Sequence, residues 1–263
     1  MISLGAGIQS TTMILMACRG EITPKPRYAI FADTGWEPKA VYKHLEWLEQ
    51  ETKNYGITIV RVSNGHIVED VRKYIKGEKK RIASIPFYLQ DGGINIPGTE
   101  GRAWRQCTQE YKLRPVQKEI RRLMKQENAD VAVVWIGISW DEIQRMKPSR
   151  EAGIKNRHPL IEKQMDRLDC VQWLKNTGYP VPPKSSCIGC PFHDDTMWLN
   201  MKRNQPDEWK QAVEFDRMIR KLPRFKKKAY LHRSCKPLDE VDLNEDQGEL
   251  DLFGNECEGY CGI

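Results

Sequence analysis

Residues 1–20 read MISLGAGIQSTTMILMACRG, and this stretch decides the fold. The apolar run at residues 1–4 has the composition of the end of a buried strand. A turn of small residues, GAG at residues 5–7, follows it, and the hydroxyl-rich QSTT at residues 9–12 opens an apolar helical segment. Strand, glycine turn and helix start, in that order, indicate an α/β protein whose first turn faces a ligand.

The turn after the first strand is a candidate phosphate site. A helix start presents backbone N–H groups and the positive end of the helix dipole to an anion. We expect Gly5 and Gly7 to adopt positive φ and allow close approach of the anion, and Ser10 and Thr11 to add hydroxyl donors. An ordinary strand-to-helix turn would contain the same residues, because a single Gly-x-Gly turn is a weak signal.

Strands and helices alternate along the first half of the chain. Apolar runs predict strands at residues 27–32, 57–62 and 131–138, and helical periodicity predicts helices at residues 38–54, 66–76 and 115–128. This alternation predicts a parallel sheet with helices on both faces and with ligands at the carboxyl ends of its strands. The segment Asp33-Thr34-Gly35 and Gly137 end two of these strands, so we expect them at the same edge as the glycine turn.

The composition of the chain changes beyond residue 150. Residues 1–150 are predicted to form a nucleotide-binding α/β domain, residues 151–235 a smaller helical region that carries cysteines, and residues 236–263 an acidic tail. Within the first domain, residues 78–106 are rich in proline and glycine. A segment of this kind is typical of a lid or a substrate loop, or of a disordered stretch.

Charge and aromatic residues suggest a polyanionic partner. Lysine and arginine number 42 against 36 aspartate and glutamate, a net charge of +6, which is a modest excess. The basic residues concentrate at 76–81, 112–125 and 224–228, close in sequence to Phe87, Tyr88 and Trp104. Cations interleaved with aromatic rings suit splayed bases and a phosphate backbone, so we expect nucleic acid, although solvated helix faces produce similar runs.

No apolar run approaches the roughly 18 residues that cross a bilayer. The amino terminus carries no basic region ahead of its apolar stretch, which argues against a secretory signal. We therefore expect a soluble, cytoplasmic protein with no membrane partner.

Eight cysteines in such a chain point to metal or redox chemistry rather than to disulfides. Cys187 and Cys190 form a C-x-x-C pair with Gly189 inside it, and two thiolates at this spacing can bind one metal centre. Cys107 is the best third candidate, because a basic helix start favours its thiolate. By spacing alone, iron–sulfur and zinc rank equally, ahead of a redox dithiol and of purely structural cysteines.

In their order, these motifs resemble the phosphoadenosine-phosphosulfate (PAPS) reductase-like branch of the PP-loop adenine nucleotide α-hydrolase superfamily. Residues 5–10 lie where that family has its Ser-Gly-Gly-x-Asp-Ser loop, residues 31–35 resemble its second motif, and residues 136–145 its third. The segment from Cys107 to Pro115 is similar to the Cys-Cys-x-x-Arg-Lys-Val-x-Pro segment of cluster-bearing sulfonucleotide reductases. The C-x-x-C at residues 187–190 matches their second cysteine pair, and the resemblance spans most of residues 1–195.

The resemblance implies that the chain binds ATP or another adenine nucleotide. The residues implied to bind it are Ser3, Gly5, Gly7, Gln9, Ser10, Thr11, Phe31, Asp33, Thr34, Gly137 and Arg145. Backbone near Phe31 and Gly137 would contact the nucleotide, and Arg145 would compensate phosphate charge. Gln9 replaces the loop aspartate of the family, so magnesium as a further cofactor and ATP cleavage both stay open.

The resemblance also implies a [4Fe-4S] cluster on Cys107, Cys187 and Cys190, with zinc as the alternative. Thr108 replaces one cysteine of the family, which leaves three matched ligands. Either one iron keeps an open position, as in cluster-dependent tRNA thiolases, or Cys235, Cys257 or Cys261 supplies the fourth ligand. Cys235 is favoured, because its surroundings look ordered. Cys257 and Cys261 are also the predicted catalytic nucleophiles, because the tail is similar to the Glu-Cys-Gly tail of the reductases.

Three functions follow from these motifs. The first is an ATP-dependent sulfur-transfer enzyme that modifies tRNA or DNA, with a sulfur donor such as a cysteine desulfurase as partner. The second is a sulfonucleotide reductase, and the third is a non-catalytic, metal-containing nucleic acid-binding protein. Gln9 and Thr108 argue against an unmodified copy of either enzyme. A homodimeric state stays open.

Overall fold

The computed structural model describes residues 1–90 and 101–243. Its strands are β1 (Ile2–Leu4), β2 (Tyr28–Asp33), β3 (Thr58–Ser63), β4 (Tyr88–Leu89), β5 (Ala132–Ile136), β6 (Ile154–Arg157) and β7 (Ala229–Tyr230). Its α-helices are α1 (Ile8–Cys18), α2 (Lys39–Lys53), α3 (Ile67–Ile75), α4 (Arg114–Gln126), α5 (Pro159–Glu162), α6 (Arg167–Asn176), α7 (Asp195–Asn204) and α8 (Pro206–Ile219). A π-helix (Thr108–Leu113) leads into α4, and short 3-10 helices lie at Trp140–Arg145 and Leu238–Glu240.

A five-stranded parallel sheet forms the centre of the molecule, with strand order β3-β2-β1-β5-β6. The glycine turn follows the central strand, β1, which pairs with β2 on one side and with β5 on the other. The predicted α/β fold with a parallel sheet is confirmed. The sequence did not predict β6, because this edge strand is short and its IKNR sequence is mostly polar.

Helices cover both faces of the sheet, as predicted. Side chains alternate along a strand, so Ala29 and Phe31 of β2 pack in one buried cluster with α1, α2 and α6. Ile30 and Ala32 of the same strand pack on the opposite face, in a cluster with α4. This burial on both faces explains why β2 reads as a nearly continuous apolar run.

A third buried cluster lies beside the sheet and joins distant parts of the chain. Ile82, Ile85 and Phe87 are buried in it, together with residues of α7 and α8, and the Phe87 and Phe215 rings lie 6.1 Å apart. The prediction of disorder is therefore wrong for residues 82–89, which are a packed core segment, and Ile85 and Pro86 of this segment line a pocket. This packing brings the segment around Cys187 against the end of β2, where the Ile188 N–H donates to the Trp36 carbonyl at 3.0 Å.

The helical region predicted at residues 151–235 contains α5 to α8, and its last two helices are separated by a proline. Helix α7 ends before Gln205, and Pro206 begins α8. Proline lacks the N–H that would continue α7, yet its fixed φ suits the first turn of a new helix. Within residues 1–90 and 101–243, no helix is both long and apolar enough to cross a membrane.

Candidate functional site

A pocket lies at the carboxyl ends of β1, β2 and β5, where parallel α/β sheets bind ligands. We call it the strand-end pocket. Eight of the residues predicted to bind a nucleotide line it: Ser3, Gly5, Gly7, Gln9, Ser10, Phe31, Gly137 and Arg145. The start of α1 therefore faces the same space as the ends of three strands, as the sequence predicted.

The backbone of the glycine turn differs from the prediction. Neither Gly5 nor Gly7 has positive φ; the residue with positive φ is Ala6, at 55°. Gly7 is the N-cap of α1 in an extended conformation, with φ −92°. Small residues are needed here for close approach: a Cβ on Gly137 would lie 3.1 Å from the Ser10 nitrogen. Gly137 thus lets the end of β5 approach the first turn of α1.

Three predicted nucleotide ligands do not line this pocket. Thr11 is fully buried, and its hydroxyl lies 3.0 Å from His44 Nε2. The Asp33 carboxylate accepts hydrogen bonds from the Gly35 N–H and the Tyr42 hydroxyl, both at 2.7 Å, and so holds the turn after β2. Thr34 lines a neighbouring pocket instead. The side chains of Thr11 and Asp33 therefore form contacts within the protein, which hold α1 and the turn after β2 in place beside the pocket.

Gln9, which replaces the family's loop aspartate, contacts a carboxylate across the pocket. Its Nε2 lies 3.4 Å from Glu142 Oε2 and 3.5 Å from Ser139 Oγ. Glu142 also forms an ion pair with Arg145. An aspartate at position 9 would face Glu142 with like charge, whereas the amide can donate to it. Arg145 was predicted to compensate the charge of a phosphate, and its positive charge is therefore already paired with the Glu142 carboxylate.

A second pocket, the cysteine pocket, brings together Cys107, Cys187 and Cys190. Cys107 is distant in sequence from the C-x-x-C pair, and the packing of the third buried cluster brings Cys107 and Cys187 close together. Burial raises the pKa of the Cys187 thiol well above its usual value, and nearby Glu37 raises it further, while Lys112 opposes the shift. Without a bound cation, Cys187 is therefore a neutral thiol.

The glycine of the C-x-x-C motif has a packing role. A Cβ on Gly189 would lie 2.1 Å from Cη2 of Trp36, so only glycine leaves room for the indole ring. Gly189 also lies in a tight turn, in which the Cys190 N–H donates to the Cys187 carbonyl at 3.0 Å, and this turn does not require positive φ at the glycine. Ser186, just before the motif, lies 2.9 Å from Nε2 of His193, which is buried. Burial lowers the pKa of His193 to about 3 and keeps this imidazole neutral.

The donor type of the cysteine pocket fits the implied cofactor. Thiolates are the ligands that iron–sulfur clusters and zinc prefer. Among the described residues, no group of three or more cysteine, histidine or acidic side chains is already arranged to hold a metal ion. A metal would need to displace the thiol proton of Cys187, which burial otherwise retains.

The predicted fourth ligand, Cys235, is not among the residues that line this pocket. Its backbone has φ 52°, and its N–H donates to the His232 carbonyl at 3.1 Å. Cys257 and Cys261 lie outside the described residues.

The two pockets share a wall that the sequence did not predict as a site. Thr108 and Lys112 line both pockets. Lys112 Nζ lies 3.6 Å from Oε1 of Glu37, a residue that is only 3% exposed and that lines the strand-end pocket. The same oxygen accepts from the Thr34 hydroxyl at 3.1 Å and lies 3.6 Å from the Cys187 sulfur.

Glu37 is an unusual buried carboxylate, because Oε2 has no hydrogen-bond partner among the described residues. A buried charged group without full pairing is costly, so its presence between two pockets suggests a functional role. The segment before the C-x-x-C motif also contacts the glycine turn: the Ser185 hydroxyl donates to the Gly5 carbonyl at 2.5 Å, and both residues line the strand-end pocket. The available sequence signal for Glu37 was its position just after the strand-end segment Asp33-Thr34-Gly35.

No protein-family model matches the chain, and no curated protein matches it. Among solved structures, it is similar to a phosphoadenylyl-sulfate (PAPS) reductase from Candida auris in its phosphate complex, with 14% identity, a TM-score of 0.42, and coverage of 69% of this chain and 74% of that one. It is also similar to the U34-tRNA thiolase NcsA from Methanococcus maripaludis with its [4Fe-4S] cluster, with 14% identity, a TM-score of 0.43, and coverage of 100% and 79%.

Proposed function

We propose that the chain is an adenine nucleotide-dependent sulfur-transfer enzyme that acts on nucleic acid. The observation that carries this proposal is the wall shared by the strand-end pocket and the cysteine pocket, which Thr108 and Lys112 line on both sides. Replacing an oxygen with sulfur requires activation of the oxygen and delivery of the sulfur at one place. Two adjoining pockets, one with a phosphate-type loop and one with three thiols, support such a reaction.

In the first step, the strand-end pocket holds ATP. Backbone N–H groups at the start of α1, the helix dipole and the Ser10 hydroxyl suit the phosphates. An oxygen of the acceptor attacks the α-phosphorus, and pyrophosphate leaves with the electrons of the broken bond. The acceptor oxygen then forms part of an adenylate and has become a leaving group.

In the second step, a sulfur nucleophile displaces AMP from the adenylated position. Sulfur comes from a donor such as a cysteine desulfurase, and an external thiol reduces it to the level of sulfide, so the displacement itself transfers no net electrons. An iron–sulfur cluster or zinc ion on Cys107, Cys187 and Cys190 would supply a soft metal centre for that sulfur. Lys112 lies between the two pockets, where its ammonium can stabilise negative charge on the departing phosphate.

The charged side chains that line the strand-end pocket are paired with each other. Its two cationic side chains each have an acidic partner, Lys112 with Glu37 and Arg145 with Glu142. The charges of these four side chains therefore balance. A nucleotide in this pocket would depend on the N–H groups at the start of α1 for much of the compensation of its phosphate charge.

Mass spectrometry of nucleosides and dinucleotides tests this function, in cells with and without the protein. We expect one species to gain the mass difference of sulfur for oxygen and to lose it in Cys187→Ala. Cys18→Ala is the matched control, because Cys18 is buried in α1 away from both pockets. Sulfite release from PAPS by the purified protein, with RNA and DNA unchanged, would instead establish a reductase.

A further inference from the structure

The Glu37 carboxylate contacts the sulfur of the C-x-x-C motif, although the two segments are far apart in the chain. Oε1 of Glu37 accepts a hydrogen bond from the Cys187 thiol at 3.6 Å. The hydroxyl of Thr34, which is fully buried, donates to the same oxygen at 3.1 Å and lies 3.3 Å from the same sulfur. Thr34 thus holds the carboxylate and the thiol against each other.

The carboxylate has one oxygen that these contacts do not use. Glu37 Oε2 is buried and has no hydrogen-bond partner among the described residues, and the side chain is 1% exposed. The last torsion of a glutamate side chain is broad and roughly two-fold, so either oxygen can take the place nearest the sulfur. A buried carboxylate oxygen left without a partner is costly, and a cation beside it offsets that cost.

The spacing between Glu37 and Cys187 is that of two ligands on one metal ion. In a tetrahedral site with a metal–sulfur bond of about 2.3 Å and a metal–oxygen bond of about 2.0–2.2 Å, the two ligand atoms lie about 3.5–3.7 Å apart. The observed separation between Oε1 and Sγ is 3.6 Å. When the thiol loses its proton to solvent, a metal ion can bind between these atoms without moving either residue far.

We propose that the Glu37 carboxylate is the fourth ligand of the metal centre held by Cys107, Cys187 and Cys190. This inference rests on the metal centre of the proposed function and completes its ligand set. Three thiolates and one carboxylate are donors that both zinc and an iron of a cluster accept.

Two other side chains are weaker candidates for this position. Cys235 does not line the cysteine pocket. His193 has a buried Nδ1 without a partner among the described residues, but its ring packs on Trp198 with centroids 4.6 Å apart, and its Nε2 pairs with Ser186. Glu37, in contrast, already contacts a thiol of the C-x-x-C motif.

A carboxylate in this position makes one ligand of the centre easier to exchange than the others. Carboxylate binds a soft metal centre more weakly than thiolate does. Glu37 also lines the strand-end pocket, so the exchangeable position faces the side where the proposed function places the acceptor. A displaced carboxylate keeps an ion partner, because Lys112 Nζ lies 3.6 Å from its Oε1.

Release of iron to a chelator tests this ligand, in protein purified anaerobically. We expect Glu37→Gln, which has the same size, to keep the three thiolates but to lose one iron per cluster about tenfold faster, the lower end of the effect of removing a partner of a metal ligand. Glu37→Cys supplies a stronger ligand at the same position and should release iron more slowly than Glu37→Gln. Mössbauer spectra should show one iron that differs from the other three and that changes in both Glu37 variants. If the protein contains zinc, zinc release should follow the same order.

Glu208→Gln is the matched control. Glu208 is also a buried carboxylate whose Oε2 has no partner among the described residues, and its Oε1 accepts from the Lys39 N–H at 2.7 Å. It lines neither pocket, so this variant should release metal at the rate of the unmodified protein. Circular dichroism of each variant verifies that the fold is intact.

Two results would overturn the assignment of Glu37 and leave the proposed function standing, in a protein that still introduces sulfur. One is equal metal release in Glu37→Gln and Glu208→Gln. The other is faster release in Glu37→Gln that Glu37→Cys does not reverse, which would make Glu37 only a hydrogen-bond partner of Cys187. If the unmodified protein binds neither iron nor zinc and changes neither RNA nor DNA, the ligand and the proposed function fail together.

Discussion

Lys112 Nζ lies 3.6 Å from Glu37 Oε1, at the wall between the strand-end pocket and the cysteine pocket. The Glu37 side chain is 1% exposed and the Lys112 side chain 22%. The pair is therefore largely shielded from water, and each charge depends on the other.

Replacement of Lys112 should show how strongly the stability of the protein depends on its ion pair with Glu37. Lys112→Met leaves the Glu37 carboxylate buried without its cation, so we expect the free energy of unfolding to fall by about 2 kcal/mol. Glu37→Gln/Lys112→Met should be more stable than Lys112→Met alone, because the double variant buries no charge. Urea unfolding of the three proteins measures both effects. An unchanged midpoint in Lys112→Met would show that the pair contributes nothing to stability.

The contact between Gly189 and Trp36 predicts a second pair of variants. Gly189→Ala places a methyl group 2.1 Å from Trp36 Cη2, and overpacking of this kind costs about 1–3 kcal/mol. We expect lower stability and a displaced C-x-x-C segment, with loss of bound metal. Trp36→Phe in the same chain removes the clashing atoms and should restore part of both. Identical losses in the single and double variants would contradict the steric explanation.

The cysteine pocket predicts which cysteines hold the metal. After anaerobic purification, Cys107→Ala, Cys187→Ala and Cys190→Ala should each lose most of the bound iron and acid-labile sulfide. Cys235→Ala should retain them, because Cys235 does not line the pocket. Cys18→Ala controls for the loss of a buried cysteine. Equal loss in Cys235→Ala would make it the fourth ligand, and stoichiometric zinc in a colourless protein would change the metal while keeping the ligands.

His44 predicts a loss of stability in acid. Burial lowers the pKa of His44 to about 4, from its usual value of 6.5. The folded protein keeps this imidazole neutral, while the unfolded chain takes up a proton below about pH 6.5. His44 should therefore contribute a fall in the free energy of unfolding as the pH drops from about 6.5 to about 4, and the slope of this contribution should approach 1.4 kcal/mol per pH unit, about the energy of one pKa unit.

Urea unfolding across this pH range tests the effect of His44. In His44→Gln, an amide can still bond to the Thr11 hydroxyl, which lies 3.0 Å from His44 Nε2. The stability of this variant should fall less steeply between pH 6.5 and 4 than that of the unmodified protein. Parallel curves for the two proteins would assign the acid sensitivity to other groups.

The strand-end pocket was predictable because its parts are local in sequence. The glycine turn, the apolar run of β2 and Gly137 at the end of β5 each follow from a short stretch of chain. Parallel strands bring their carboxyl ends to one edge, so local patterns were enough to place these residues together. Thr11, predicted to hold phosphate, and Asp33, predicted to flank the site, do not line the pocket, because local pattern cannot distinguish a side chain that faces the ligand from one that holds the backbone nearby.

The cysteine motif was also evident from the sequence, whereas its surroundings were not. The spacing of Cys187 and Cys190 indicated a shared centre, but the steric reason for Gly189 is the Trp36 ring, which comes from a distant segment. Phe87 and Trp104 were predicted for the same surface, yet Phe87 is buried against Phe215 of α8 whereas Trp104 is exposed.

The sequence by itself determined the alternation of strands and helices, the position of the phosphate-type turn and the cysteine spacing. Only the tertiary structure decided that Glu37, Lys112 and Thr108 form the wall between two pockets. The physical reason is that backbone periodicity is set by residues a few positions apart. The environment of a buried charge is set instead by whichever segments pack around it, and around Glu37 these are the turn after β2, the π-helix before α4 and the C-x-x-C segment.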